Sequence, residues 1–180
     1  MHPKTYREFE RICASRKAAG RILEIGAVPS SDSLLCMSSI RDATEKIGIN
    51  LDGPHTYRDY MILRGNGNQM YCFDDNHFDV VLRNAVLEHD KFFWKTLAEI
   101  RRVTKPGGLV IIGTPGYIQF PARQSAAKAK QLFLSALGRI GFHDRLCWLL
   151  RSTPTIEIHD APGDYYRFSP QSFREVFLGG

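Results

Sequence analysis

The chain has 180 residues, 43% of them hydrophobic and 24% charged, long enough to bury one substantial core and balanced like a globular protein. Twenty-four basic side chains stand against 19 acidic ones, a net charge of +5; the excess is mild and leans C-terminal, so nucleic acid is not the favoured partner. No apolar run approaches a bilayer span and Met1 to Glu10 is polar, which sets the expectation of a cytoplasmic protein.

In chain order, Arg21-Ile22-Leu23-Glu24-Ile25-Gly26 reads as a strand and its turn, with an apolar helix start at Leu34. Ile47 to Leu51, Tyr60 to Leu63 and Phe78 to Leu82 are the next apolar strands. Asp90 is then the expected N-cap of a helix whose Phe93, Leu97 and Ile100 share one face, with Pro106-Gly107-Gly108 stopping it before a fifth strand, Leu109 to Gly113. Short apolar strands alternating with helical stretches predict an α/β fold, with a mainly parallel sheet covered on both faces and right-handed crossovers. Residues 123–151 read as basic and amphipathic helix, and 153–163 as turn-rich. Ser169 caps a last helix with Pro170 in its first position, running toward Phe177.

Chemistry is expected first at Glu24-Ile25-Gly26-Ala27. Glycine at the end of a first strand lets backbone approach a bound nucleoside beside a helix start, although a plain strand-to-helix turn explains a lone glycine equally well. His55, His77, His143 and His159 fall on predicted loops and read as solvated surface. Cys13, Cys36, Cys72 and Cys147 lie far apart without a C-x-x-C pair; they read as free thiols, and no metal site is expected.

Five blocks of the chain resemble class I S-adenosylmethionine-dependent methyltransferases, in particular the small-molecule and lipid methyltransferases typified by ubiquinone-biosynthesis enzymes. They are I-L-E-I-G-A (22–27), I-G-I-N-L-D (47–52), G-N-G-N-Q-M (65–70), F-D-D-N-H-F-D-V-V-L-R-N-A-V-L-E-H (73–89) and K-P-G-G-L-V-I-I-G-T-P (105–115). The resemblance implies a Rossmann-like three-layer sandwich over 1–180 as a single domain, with 21–116 as cofactor-binding core and 117–170 as a helical cap or substrate-recognition insertion. It implies S-adenosylmethionine as cofactor and a small molecule as methyl acceptor. Glu24, Gly26 and Ala27 would face its methionine and ribose, Asn50 and Asp52 its ribose, Asn66 its adenine, and Asn84 and Ala85 the place where donor and acceptor meet.

Against the family pattern, the loop at 26–31 is glycine-poor, and Asn stands at 50 and 66 where an acid is usual; each change predicts a weaker hold on the cofactor. His89 is the candidate base, with packing at the mouth of its strand as the other reading. Tyr117, Phe120, Trp148, Tyr165 and Tyr166 are candidate lining of an acceptor pocket. The basic stretch 123–151 is a cap, a peripheral docking element for an anionic membrane surface or nucleic acid, or a solvated helix pair. The resemblance also implies a terminal antiparallel hairpin beside the fifth strand; the sequence ends at Gly180 before it, so a truncated family member with an exposed sheet edge, and either a homodimer across that edge or an unstable monomer, are expected. A nicotinamide enzyme is disfavoured because G-x-G-x-x-G is absent. A non-catalytic relative with a binding or assembly role is the alternative.

Overall fold

The computed structural model describes residues 3–116 and 163–177. These fall into two compact units, one of residues 3–114 and 163–166, the other of 115–116 and 167–177.

The first unit opens with helix α1 (Pro3–Ser15), which buries Phe9 and Cys13. Strand β1 (Arg21–Ile25) follows, then two short 3-10 turns, Leu34–Cys36 and Ser38–Ile40. Strands β2 (Glu45–Asn50), β3 (His55–Tyr57), β4 (Tyr60–Arg64) and β5 (Phe78–Asn84) come next, then helix α2 (Phe93–Val103) and strand β6 (Thr104–Gly113). The six strands form one sheet in the order β3-β4-β2-β1-β5-β6, parallel throughout except for the β3–β4 pair. It is the mainly parallel α/β sheet expected of the sequence, with the antiparallel β3 added at one edge.

Alternation along the parallel strands sorts the side chains. Ile22, Ile62, Val80 and Leu82 share a cluster with Phe9, Cys13, Leu34, Leu35 and Ile40. Leu23, Ile25, Val81 and Arg83 project to the opposite face, while α2 buries Thr96, Leu97, Ile100 and Val103.

Several expectations need correction. The crossover from β1 to β2 has 3-10 turns where a longer helix was expected from Leu34; its 19 residues between Gly26 and Thr44 hold two Ser-Ser pairs and a Pro, residues that favour turns over helix interiors. Asp90 is not the cap of α2: Phe92 occupies that position without a side-chain bond, and Asp90 accepts from the Phe92 amide at 2.9 Å. Pro106-Gly107-Gly108 does not stop the helix either. It ends at Val103, where the Thr104 hydroxyl donates to the Ile100 carbonyl at 2.6 Å, and the Lys-Pro-Gly-Gly run is an irregularity within β6. The pairing moves from Phe78↔Thr104 to Val80↔Leu109, so three residues of excess bulge out. Gly107 takes φ +77, and a Cβ on Gly108 would meet the Asp79 carbonyl at 3.0 Å. The bulge puts Lys105 Nζ 2.7 Å from Asp79.

In the second unit Ser169 caps α3 (Pro170–Ser172), accepting from the Ser172 amide with Pro170 in the first turn, and a π turn continues it over Phe173–Phe177. The sequence reading holds here, and Phe168, Phe173 and Phe177 stack edge to face. The basic stretch 123–151, the turn-rich 153–162 and the candidate lining residues Tyr117, Phe120 and Trp148 lie outside the described residues. Among the described residues no helix is long and apolar enough to cross a membrane.

One side chain stitches the loop after β4 to α2. Arg102 donates to the carbonyls of Met70 and Phe73, each at 2.9 Å, and to Asp75 and Glu99 at 2.8 Å, while Glu99 accepts from the Met70 amide at 2.6 Å. Arg102→Met is expected to lower unfolding stability by about 2–3 kcal/mol, because two loop carbonyls and two carboxylates lose a donor. Urea denaturation measures this, and a loss under about 0.5 kcal/mol would show the network to be ornamental.

Candidate ligand site at the C-terminal ends of the strands

A parallel sheet whose strand order reverses leaves a crevice at the carboxyl ends of its strands. In this chain the reversal lies at β1, flanked by β2 and β5, and a cavity of about 500 Å3 opens there. It is bordered by the ends of all the central strands and the loops that follow: Ile25 and Gly26, Asn50 and Leu51, Gly65 to Asn68, and Ala85 to Val86, with His89 to Phe92 and Thr96 on the α2 side.

Four of the expected cofactor residues border it. Gly26 adopts φ +86, and a Cβ there would lie 2.6 Å from Val86 Cγ2; only glycine keeps this turn open. Asn50 donates from Nδ2 to the Ala27 carbonyl at 2.7 Å, a bond an aspartate could not make. Asn66 accepts the Asn68 amide at 2.9 Å on Oδ1. Ala85 sits at φ +52, and its amide bonds the Gly113 carbonyl at 2.9 Å.

The other four stand outside the lining. Glu24 is 4% exposed; paired in register with Leu82, it projects to the face of the 3-10 turns, accepting from the Ser33 hydroxyl and, at 3.2 Å, from the Leu35 amide. Ala27 is fully buried. Asp52 is 92% exposed and 3.4 Å from His55 Nε2. Asn84 ends β5 with its amide over Gly113, where a Cβ would collide with it.

His89 does border the cavity. Its Nδ1 is hydrogen-bonded to the Gly163 carbonyl, while Nε2 lies 3.8 Å from Glu88. Donation to a carbonyl requires the proton on Nδ1, which assigns the lone pair of the neutral ring to Nε2. Glu88 is fully buried, and its carbonyl accepts the Tyr165 amide at 2.7 Å. Tyr166 packs edge to face on Phe93 with centroids 5.0 Å apart. Neither tyrosine borders the cavity.

Sequence reasoning missed the polar floor. Arg83, 2% exposed, reaches the cavity between Ile25, Gly67 and Thr96. Its Nη2 is 3.5 Å from Asp90 Oδ2. That oxygen also accepts from Asn68 Nδ2 at 2.8 Å and from the Thr96 hydroxyl at 2.6 Å. Burial pulls the guanidinium down to about 10, against the charges of Asp90 and Glu88, so it remains a cation at neutral pH. The signal was an arginine inside the apolar run Phe78 to Leu82 and its continuation, a position normally filled by a hydrophobe.

The arrangement fits an adenosyl ligand in part. The open turn at Gly26 and the ends of four strands supply shape and room, whereas both asparagines offer an amide oxygen where a carboxylate would bind more strongly. Among the described residues no cluster of His, Cys, Asp and Glu could hold a metal.

Residues 37–112 match the family model described as methyltransferase domain. A search of curated proteins finds no match. Among solved structures the chain is similar to the YcgJ protein of Bacillus subtilis, with 18% identity, a TM-score of 0.52, and coverage of 64% of this chain and 53% of that one. It is similar to a putative methyltransferase of Bacillus halodurans at 14% identity and TM-score 0.53, over 69% and 56% of the two chains. The N-methyltransferase NodS of Bradyrhizobium japonicum, solved with S-adenosyl-L-homocysteine, matches at 14% identity and TM-score 0.51, over 61% and 59%. The chain thus covers between half and three-fifths of these structures. At such identities the likeness shows the fold alone, and the family model adds that residues 37–112 are similar to a methyltransferase domain.

Burial of Glu24 raises its carboxyl above the usual range, against the hydrogen bonds of Ser33, Leu34 and Leu35. The folded state therefore binds this proton more tightly than the unfolded chain, and stability from this group falls as pH rises from the unfolded value through the raised one. Glu24→Gln is expected to gain stability relative to the parent across that interval and to level off above it. Denaturant titrations of both proteins from about pH 4 upward measure the difference; a constant difference at every pH would refute the assignment.

Proposed function

We propose that the cavity at the ends of β1, β2, β4 and β5 binds S-adenosylmethionine, the cofactor of this class of methyltransferase domain, and that the chain transfers a methyl group to a small-molecule acceptor. The observation that supports this most directly is the left-handed Gly26 turn at the reversal of strand order, beside a segment that matches the methyltransferase domain. When bound, the sulfonium supplies an electrophilic methyl group for in-line displacement. The chain's part is positioning and exclusion of water, which supplies much of the rate in such a transfer. Gly26 leaves space against Val86, the Asn50 and Asn66 amide oxygens face polar ligand edges, and Ala85 turns the chain at the end of β5. His89, held by Gly163 through Nδ1, would take a proton at Nε2 from an acceptor that carries one. A cytoplasmic location belongs to the same proposal.

One observation favours the alternative of a binding protein without turnover. Both asparagines are engaged by backbone, Asn50 with Ala27 and Asp52, and Asn66 with Asn68, so less hydrogen-bonding capacity is left for a ligand than two carboxylates would offer. Weak affinity is common to both readings, and turnover separates them.

Calorimetric titration of the intact chain with S-adenosylhomocysteine should show saturable binding. Asn66→Asp keeps the acceptor for the Asn68 amide and adds a charge, so it should tighten binding about five- to tenfold. No heat and no thermal shift at millimolar ligand would overturn the cofactor assignment, whereas binding without methyl transfer to any acceptor class would favour the alternative. Among the described residues β6 pairs only with β5, which supports the further proposal of a homodimer across that edge; a concentration-independent monomer in sedimentation would exclude it.

A further inference from the structure

The cavity floor carries a charge that the reading above does not use. Arg83 is almost wholly buried, yet its Nε and Nη1 have no hydrogen-bond partner. Buried charged donors are nearly always satisfied, so an unmet pair at a cavity wall marks a place where a ligand atom belongs. The neighbouring carboxylate does not meet the need. Asp90 approaches Nη2 alone, at 3.5 Å, and its oxygens already accept from Asn68, Thr96 and the Phe92 amide.

Nη1 is itself buried in the cavity wall. Gly67 faces it, and a Cβ at that position would stand 3.2 Å from Nη1, 3.1 Å from Ile25 and 3.4 Å from the Thr96 hydroxyl. Charge points the same way. Two cations, Arg83 and Lys91, border the cavity against the single carboxylate of Asp90, and the positions expected to carry acids at 50 and 66 are amides. The wall as a whole is rich in donors and poor in negative charge, which suits an anion.

We propose that Arg83 makes the cavity floor an oxyanion site, so that a ligand of this chain carries a carboxylate or phosphate group that accepts from the guanidinium. The oxyanion belongs either to the amino-acid end of the cofactor or to a separate methyl acceptor; only the first source rests on the cofactor reading.

The test uses the intact chain and three probes: inorganic phosphate, S-adenosylhomocysteine, and 5′-methylthioadenosine, which keeps the adenosyl group without the carboxylate. Arg83→Gln removes the charge and Arg83→Lys restores it. Phosphate should bind the parent, tenfold or more weakly to Arg83→Gln, and within about threefold of the parent to Arg83→Lys. If the cofactor is the source, Arg83→Gln weakens S-adenosylhomocysteine about tenfold, spares 5′-methylthioadenosine, and saturating S-adenosylhomocysteine displaces phosphate. If a separate acceptor is the source, phosphate and S-adenosylhomocysteine bind together and Arg83→Gln affects phosphate alone. Gly67→Ala, which keeps the arginine but crowds Nη1, should weaken the same probe and serves where Arg83→Gln does not fold. Identical affinities of parent, Arg83→Gln and Gly67→Ala for phosphate and S-adenosylhomocysteine would overturn the proposal. Loss of both adenosyl ligands with phosphate binding intact would instead overturn the cofactor reading and leave the oxyanion site standing.

Discussion

The parallel course of β4, β2, β1, β5 and β6 is the constraint on which the site depends. Strands that run the same way end on the same edge, so the loops at 26–28, 50–52, 65–68 and 85–92 meet there whatever their sequence. The reversal of order at β1 then separates the crossovers on its two sides, and the cavity forms between them. The left-handed turn at Gly26 follows from this crowding: the chain leaves β1 directly beneath Val86, and a side chain would close the space the topology has made.

Chemistry in the cavity is set by what the loops spend on themselves. Asn50 bonds across to Ala27 and so ties the end of β2 to the turn after β1. A carboxylate in its place would face a carbonyl, trading a stabilised loop for a stronger ligand contact. Asn66 makes a similar local bond within its own turn. The site is consequently better ordered without ligand than one lined by free carboxylates, and weaker in its hold on hydroxyl and amino donors.

The strands were legible because their β-branched and leucine-rich runs are short and bounded by Gly, Pro and Asp. The last helix was legible too, since a Ser-Pro pair offers both a cap and a fixed φ at its first turn. The 3-10 crossover was misread because an apolar start at Leu34 resembles a helix until its serines are weighed. Pro106 to Gly108 was misread as a stop signal, although the same glycines also suit a bulge. Helix α1 was passed over because the segment looked polar, with Phe9 and Cys13 its only fully buried side chains. Of the site, Gly26, Asn50, Asn66, Ala85 and His89 could be placed at the cavity through the family resemblance, which puts ligand contacts at and just beyond the strand ends. Glu24 could not, because its face depends on register.

That register also explains why two buried charges on neighbouring strands have different fates. Glu24 pairs with Leu82, and Ile25 with Arg83. Paired residues of parallel strands share a face, so the carboxylate and the guanidinium, though close along the sheet, project to opposite sides and cannot neutralise each other. Glu24 meets a loop that folds onto it, and Ser33 with Leu35 satisfies it inside the structure. Arg83 meets the open end of the sheet, where Asp90 is already committed to three other donors. One buried charge is thereby consumed in holding the crossover in place, and the other is left bordering the cavity. The difference arises from a single step along the strand.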